Sequence, residues 1–352
     1  MRARGHRVTD RLAEVTAPPD VIHAQHVTPA LMAMAAFPGV PVVYACHSSI
    51  FEVETPRPHP QIRRVTALDE RGRDRCLGRG FTAGQIVLVP NAVDLARFRQ
   101  RPPLPPRPRR ALLIAKTEGH AAAVRMACAR QGLILDEIGL ALGRFSDRLE
   151  EDLPAYDIVF ASGRSALEAA AAGCAVVLID GAGLAGLLTT DRLATWRASN
   201  FSVALLNQPA DAERIEQAIA AFDAADAARV TAHLRQDASA EAYATRYLAL
   251  YRDAIADAPP ADPAAIAHAT AAWLEDLLPS SAPRGWQLVA KELAGYEADR
   301  RAAELGAMEA RLTARLDALP SRRAMEWLRS VYRSAVPLPL RRGIREWRQA
   351  RS

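Results

Sequence analysis

The sequence predicts an α/β protein made of two doubly wound parallel-sheet domains followed by a helical C-terminal extension. Three observations carry that reading. Short apolar runs alternate with helix-length segments from Asp20 to Ile255, the pattern that βαβ units produce. The stretch 101–110, RPPLPPRPRR, excludes helix and central strand and divides the alternation in two. Beyond Asp257 the alternation gives way to Ala, Pro and Asp, and then to long helical spacing.

Composition narrows the class. The 352 residues are 50% hydrophobic, enough for about two domains with proper cores. No apolar run approaches the ~18 residues that span a bilayer, and the start Met1-Arg-Ala-Arg-Gly-His lacks the apolar core of a signal peptide, so a cytoplasmic location is expected. Cys46, Cys76, Cys128 and Cys174 have no zinc-like spacing and read as reduced, packed thiols, with no metal site indicated. The net charge of +5 is uneven. Ser321–Ser352 holds nine arginines against Glu326 and Glu346, a net +7 that leaves the rest at −2. A basic end on a near-neutral body points to an acidic partner for the tail, such as an anionic membrane surface, and not to nucleic acid.

The first domain is expected over 1–100. DVIHAQH, 20–26, reads as a strand, 29–37 as a short apolar helix, and VPVVYACHSS, 40–49, as a second buried strand. Ligands of open parallel sheets gather at the carboxyl ends of strands, which puts His23, His26 and especially His47, with Ser48 and Ser49, where chemistry occurs. The plain alternative for each histidine is a hydrogen-bonded strand-end side chain. The loop 51–60 is rich in Pro and acids and has no period. A strand at IRRVTALDE, a helix over 70–78 and a strand at QIVLVP follow, before the linker 101–110.

The second domain is expected over 111–257. It opens with the strand ALLIAK, then a helix over 121–131, the strand LILDEIG and a polar helical stretch over 147–153. The central stretch is Ile158–Asp180, IVFASGRSALEAAAAGCAVVLID: strand, glycine turn, helix, strand. Gly163, Arg164 and Ser165 open its helix, whose first N–H groups lack intrahelical partners and suit an anion. Glu168, one turn further in, is placed to accept ribose hydroxyls. Lys116, at the end of its strand, is placed to meet a diphosphate or to stand as a plain surface lysine. Loop and helix over 181–198 and helices over 212–222 and 240–255 complete this domain. In the extension, 258–352, Leu305, Met308, Leu312, Leu316 and Leu319 form one apolar stripe. The tail then interleaves Trp327, Leu328, Val331, Ile344 and Trp347 with arginines, as an interfacial amphipathic helix does; docking on the protein's own body is the alternative.

With these residues in view the chain resembles the retaining nucleotide-sugar glycosyltransferases of GT-B fold, the group 1 type. HAQH at 23–26 and YACHSS at 44–49 match that family's histidine strands. LVPNAVDLARF at 88–98 matches its linker, with Ala92 in place of glycine, and LEAAAAGCAVV at 167–177 matches the helix after its donor loop. The resemblance implies two Rossmann-like domains, a nucleotide-sugar co-substrate, no further cofactor and no metal. It implies that His47 is catalytic beside the transferred sugar and that His26, Ser48 and Ser49 lie on the acceptor side. Lys116, Gly163, Arg164, Ser165 and Glu168 would bind the donor.

Three departures accompany it. Phe160 stands where the family's E-x7-E motif has its first glutamate, and Ala122 stands where a second cation follows Lys116, leaving His120 or Arg164 as substitutes. The family's first strand and glycine loop would precede RARGHRVT, so the first domain is expected to lack that strand. The function expected is sugar transfer from a nucleotide-sugar to a glycan or lipid-linked acceptor in cell-surface polysaccharide assembly, by a peripheral protein on the inner face of the membrane. A non-catalytic sugar-nucleotide or glycan-binding homologue is the alternative. A UDP-sugar epimerase ranks last, because the sequence shows no carboxylate cluster beside His47.

Overall fold

The computed structural model describes residues 5–9, 11–47, 52–116, 119–139, 142–259 and 261–277, together with 305, 306, 308, 309 and 313. The chain divides into two compact units, Met1–Trp273 and Leu274–Ser352. The first unit contains two open sheets. In the second, Leu305 and Met308 are helical and exposed, and the basic tail Ser321–Ser352 lies outside the described residues. No helix among the described residues is long and apolar enough to cross a membrane.

The first sheet is built from β1 (Ile22–Ala24), α1 (Val27–Ala36), β2 (Val42–Cys46), β3 (Ile62–Ala67), α2 (Glu70–Gly78) and β4 (Ile86–Leu88). Its strands run parallel in the order β1-β2-β3-β4. All five side chains of β2 are buried, as the unbroken run VVYAC requires of a strand covered on both faces. Asp69 fixes the start of α2 by accepting the Gly72 amide at 2.8 Å.

The second sheet comprises β5 (Arg110–Ile114), α3 (Ala121–Arg130), β6 (Ile134–Ile138), α4 (Leu149–Asp152), β7 (Ile158–Ala161), α5 (Gly163–Ala171), β8 (Ala175–Asp180) and β9 (Gly183–Leu187), in the order β6-β5-β7-β8-β9. Four strands are parallel, and β9 pairs antiparallel to β8. This corrects the sequence expectation of a wholly parallel sheet with a loop after Asp180. GLAGL has no alternation to read, and Gly183 (φ 149°) passes so close to the neighbouring chain that a Cβ would fall 2.7 Å from the Gln208 carbonyl oxygen. The alanines of α5 have a packing reason. Ala166, Ala169, Ala170 and Ala171 are fully buried, which lets α5 lie close to the sheet and to a later helix.

After α6 (Thr190–Ala198) come α7 (Ala212–Ala220), α8 (Ala224–Asp237), α9 (Ala240–Ala256) and α10 (Pro263–Leu277). The sequence reading passes over α8, whose buried stripe of Ala227, Val230, Thr231 and Leu234 is too small and polar to announce itself. Asp223 caps it, and Thr231 Oγ1 donates to the Ala170 carbonyl at 2.8 Å, joining α8 to α5. The chain then crosses back to the first sheet. Val93 and Ala240 lie at the crossing: the Val93 amide donates to Ala238 O at 2.8 Å and the Ala240 amide to Val93 O at 2.9 Å. Although it follows the second sheet in sequence, α9 packs on the first, with Tyr247 and Leu250 against Val43 and Val89. Trp273 of α10 joins the first sheet's core. Both sheets thus share one unit, and their strand ends meet at a cleft.

Candidate functional site

The cleft encloses a cavity of about 650 Å³ lined from both sheets, from Asn91, Ala92 and Asp94, and from α9. From the first sheet come His47, immediately after β2, and Glu54, in a single 3-10 turn, Glu52–Glu54. From the second come Lys116, Gly163 and Arg164, and α9 contributes Tyr243. Four residues predicted from sequence, His47, Lys116, Gly163 and Arg164, therefore border one space. Ser48 and Ser49 lie outside the described residues.

One wall is set by the turn into α5. Gly163 has φ 59°, a left-handed conformation that costs a side-chain-bearing residue ~1–2 kcal/mol. Its amide donates to the Phe201 carbonyl at 2.7 Å, so Gly163 shapes the turn without offering a donor of its own. Ser162 leaves the helix uncapped, because its hydroxyl bonds Asp180 Oδ2 at 2.9 Å. The amides of Arg164 and Ser165 are then the donors that the first turn presents to an anion. Lys116 Nζ stands 3.4 Å from the Ser162 carbonyl oxygen and 3.5 Å from the place of a Cβ on Gly163, which puts a cation over the turn.

Glu168 is 7% exposed and does not border the cavity; Arg164, whose Nε lies 2.8 Å from Glu168 Oε1, stands between. Burial pushes the Glu168 carboxyl above its usual range, against the pull of Arg164. Phe160 is fully buried in the core face of β7. With only Ser162 between β7 and α5, the position eight residues before Glu168 falls inside a strand, where a carboxylate would be buried among apolar side chains. That is the physical reason for the departure from the E-x7-E pattern. Beside Lys116, His120 caps α3 in sequence but is 1% exposed, and burial holds its imidazole below its usual range.

On the first sheet the histidines part company. His23 turns away from the cleft cavity: its Nδ1 pairs with Tyr251 Oη at 2.8 Å and its ring packs 5.1 Å from Tyr247. His26 borders a neighbouring cavity of about 440 Å³ and lies 3.6 Å from Glu54 Oε1. Burial lowers the pKa of His47, opposed by the charge of Glu54. The sequence reading found no carboxylate cluster beside His47; the structure brings a single carboxylate, Glu54, to the same cavity through its 3-10 turn. No period in the loop 51–60 could have announced it.

Two more residues missed from sequence shape the second wall. Asn200 (φ 54°) and Phe201 (φ 52°) are consecutive left-handed residues, uncommon for non-glycine side chains. Asn200 Oδ1 accepts the Asn91 amide at 3.0 Å while Phe201 O accepts that of Gly163, so this turn ties the stretch around Asn91 to the start of α5. Among the described residues no cluster of three His, Cys, Asp or Glu side chains is placed to hold a metal ion.

Residues 1–97 match the family model of Glycosyltransferase Family 4. The matched stretch holds the first of the two Rossmann-like sheets that face one cleft. Similar solved structures include Anabaena Alr3699/HepE in complex with UDP, at 14% identity over 66% of this chain and 79% of that one, with a TM-score of 0.47. S. aureus MnaA with UDP is similar at 16% identity over 69% and 77%, TM-score 0.36. The lipopolysaccharide outer core galactosyltransferase WaaB, in its apo form, is similar at 12% identity over 62% and 75%, TM-score 0.33. No curated protein matches.

Proposed function

We propose that the chain transfers a sugar from a nucleotide-sugar donor to a glycan or lipid-linked acceptor without a metal. The observation that carries this reading is the convergence on one cavity of a cation over an uncapped helix start, Lys116 above Arg164 and Ser165, with His47 opposite. A diphosphate leaving group gains negative charge as the bond to the anomeric carbon breaks. Fixed N–H dipoles and two cations, Lys116 and Arg164, stabilise that charge without reorganising. Glu168 takes the ribose hydroxyls once Arg164 turns from it to the diphosphate, and His47 lines the sugar and acceptor side. The match of residues 1–97 to Glycosyltransferase Family 4 supports the same reading.

Assembly of cell-surface polysaccharide at the inner face of a membrane is the setting that the basic tail supports, with Ser321–Ser352 on anionic lipid. The test of the donor site is calorimetry of the protein against UDP, GDP, ADP and dTDP, and of Lys116→Ala against the nucleotide that binds. Lys116→Ala weakens a diphosphate by ~10–100-fold, the worth of a charge-assisted hydrogen bond, and leaves binding of the bare nucleoside unchanged. Equal loss for diphosphate and nucleoside would remove Lys116 from the phosphate site.

A further inference from the structure

Three left-handed residues meet at one wall of the cleft cavity. Gly163 opens α5 at φ 59°, and Asn200 and Phe201, after α6, stand at 54° and 52°. Glycine enters that region freely and asparagine more readily than most, but a phenylalanine there is an outlier that persists only where its surroundings over-determine it. Phe201 is fully buried in the core of the second sheet, and its carbonyl accepts the Gly163 amide at 2.7 Å. The peptide between Ser162 and Gly163 is thereby gripped at both ends, because Lys116 Nζ stands 3.4 Å from its carbonyl oxygen. One residue before Phe201, Asn200 is 5% exposed, and its Oδ1 accepts the Asn91 amide at 3.0 Å. Asn91 lies two residues ahead of Val93, where the chain segments that join the sheets are paired through the Val93 amide and carbonyl. Asn91, Lys116, Gly163 and Asn200 all border the same cavity.

We propose, resting on the sugar-transfer reading above, that Asn200 is a positioning residue for the nucleoside diphosphate, coupling the turn into α5 to the crossing between the sheets. The diphosphate reaches the amides of Arg164 and Ser165 together with the Lys116 ammonium only while the Ser162–Gly163 peptide keeps its orientation. Phe201 fixes that peptide, and Asn200 fixes Phe201 from the far side through Asn91. The coupling is reciprocal by linkage: a diphosphate that steadies the turn steadies Asn91, and loss of the Asn91 bond loosens the hold on the diphosphate. A bare nucleoside, which has no phosphate to engage the turn, is blind to it.

The test uses the full chain as wild type and as Asn200→Gly, which keeps the left-handed backbone without strain and removes the side-chain acceptor. Calorimetry with UDP, GDP, ADP and dTDP finds the tightest of the four, which is then compared with its bare nucleoside on both proteins. Amide hydrogen exchange, read by NMR on the 15N-labelled chain, follows Asn91 and Gly163. The expected result is that the nucleoside diphosphate slows exchange at both amides in wild type and at Gly163 alone in the variant. The variant binds the diphosphate ~3–10-fold more weakly, the range that one hydrogen bond supplies, and the nucleoside equally well. Equal diphosphate affinity in the two proteins overturns the proposal, as does an equal loss for diphosphate and nucleoside, since Asn200 then serves only the fold. Wild type that binds a diphosphate with no slowing at Asn91 overturns it while the donor site stands, and that reading needs no variant to fold. Wild type that binds none of the four nucleotides sinks the transferase reading and this proposal with it.

Discussion

Arg164 Nε lies 2.8 Å from Glu168 Oε1 one turn along α5, so a cation borders the cavity and a carboxylate is buried behind it. The Glu168 side chain is 9% exposed and that of Arg164 69%. Burial raises the Glu168 carboxyl above its ordinary value of 4.5 despite this partner. The folded state therefore holds the proton more readily than the unfolded chain. The stability Glu168 contributes is full below pH 4.5 and is lost as pH rises through the folded value. Glu168→Gln is expected to melt at or above the wild-type temperature at pH 7, with the advantage gone at pH 4. The same variant binds its nucleotide ~10–100-fold more weakly, because an amide accepts ribose hydroxyls less strongly than a carboxylate. Thermal melting at the two pH values and calorimetry with UDP check both halves. A lower melting temperature at pH 7 would mean that the Arg164 attraction outweighs the cost of burial.

The linker is held by a buried pair. Arg101 Nη2 lies 3.0 Å from Asp157 Oδ1, with side chains 10% and 8% exposed, and the other Asp157 oxygen accepts the amides of Arg109 and Arg110. Arg101→Ala leaves a buried carboxylate with its charge uncompensated, at a cost of ~3–5 kcal/mol. Denaturant unfolding is expected to show that loss. Arg101→Met with Asp157→Asn recovers a large part of it, whereas a loss under ~1 kcal/mol for Arg101→Ala would mean that water reaches Asp157.

How much of this was legible follows from what sequence patterns encode. The βαβ alternation and the glycine turn at Gly163 are local, and the structure carries them as β7, α5 and β8. Lys116 and Gly163 each sit at a strand end, which is why their meeting could be anticipated from the parallel order of β5 and β7. Glu54 could not be, because its place depends on the path of an aperiodic loop. Nor could Asn200 and Phe201, whose left-handed backbone contradicts local preference and is held only by tertiary bonds to Asn91 and Gly163. The crossing of α9 to the first sheet escaped for the same reason. Its stripe of Tyr243, Tyr247, Leu250 and Ala254 fits an apolar face without naming which sheet provides it.

His59 fastens α10. The Gln61 amide donates to His59 Nδ1 at 3.2 Å, so that nitrogen carries no proton. Nε2 then carries it and donates to Thr270 Oγ1 at 3.2 Å, while the Thr270 hydroxyl donates onward to Ile266 O at 2.8 Å. Trp273, 2% exposed, packs beside the ring at 5.9 Å between centroids. This arrangement requires the neutral ring, and burial lowers the His59 pKa below 6.5. Between the folded value and 6.5 the unfolded chain binds more protons, so stability rises with pH through that window and is fully present above 6.5. As pH falls through the window, protonation of Nδ1 breaks the Gln61 bond and loosens α10. Hydrogen exchange, corrected for the intrinsic pH dependence, is expected to quicken in α10 between pH 7 and pH 5 and to change less in α9. His59→Asn offers Oδ1 as a non-titrating acceptor for the Gln61 amide and flattens that response. An α10 whose corrected exchange is the same at both pH values would show that Trp273 alone holds the helix.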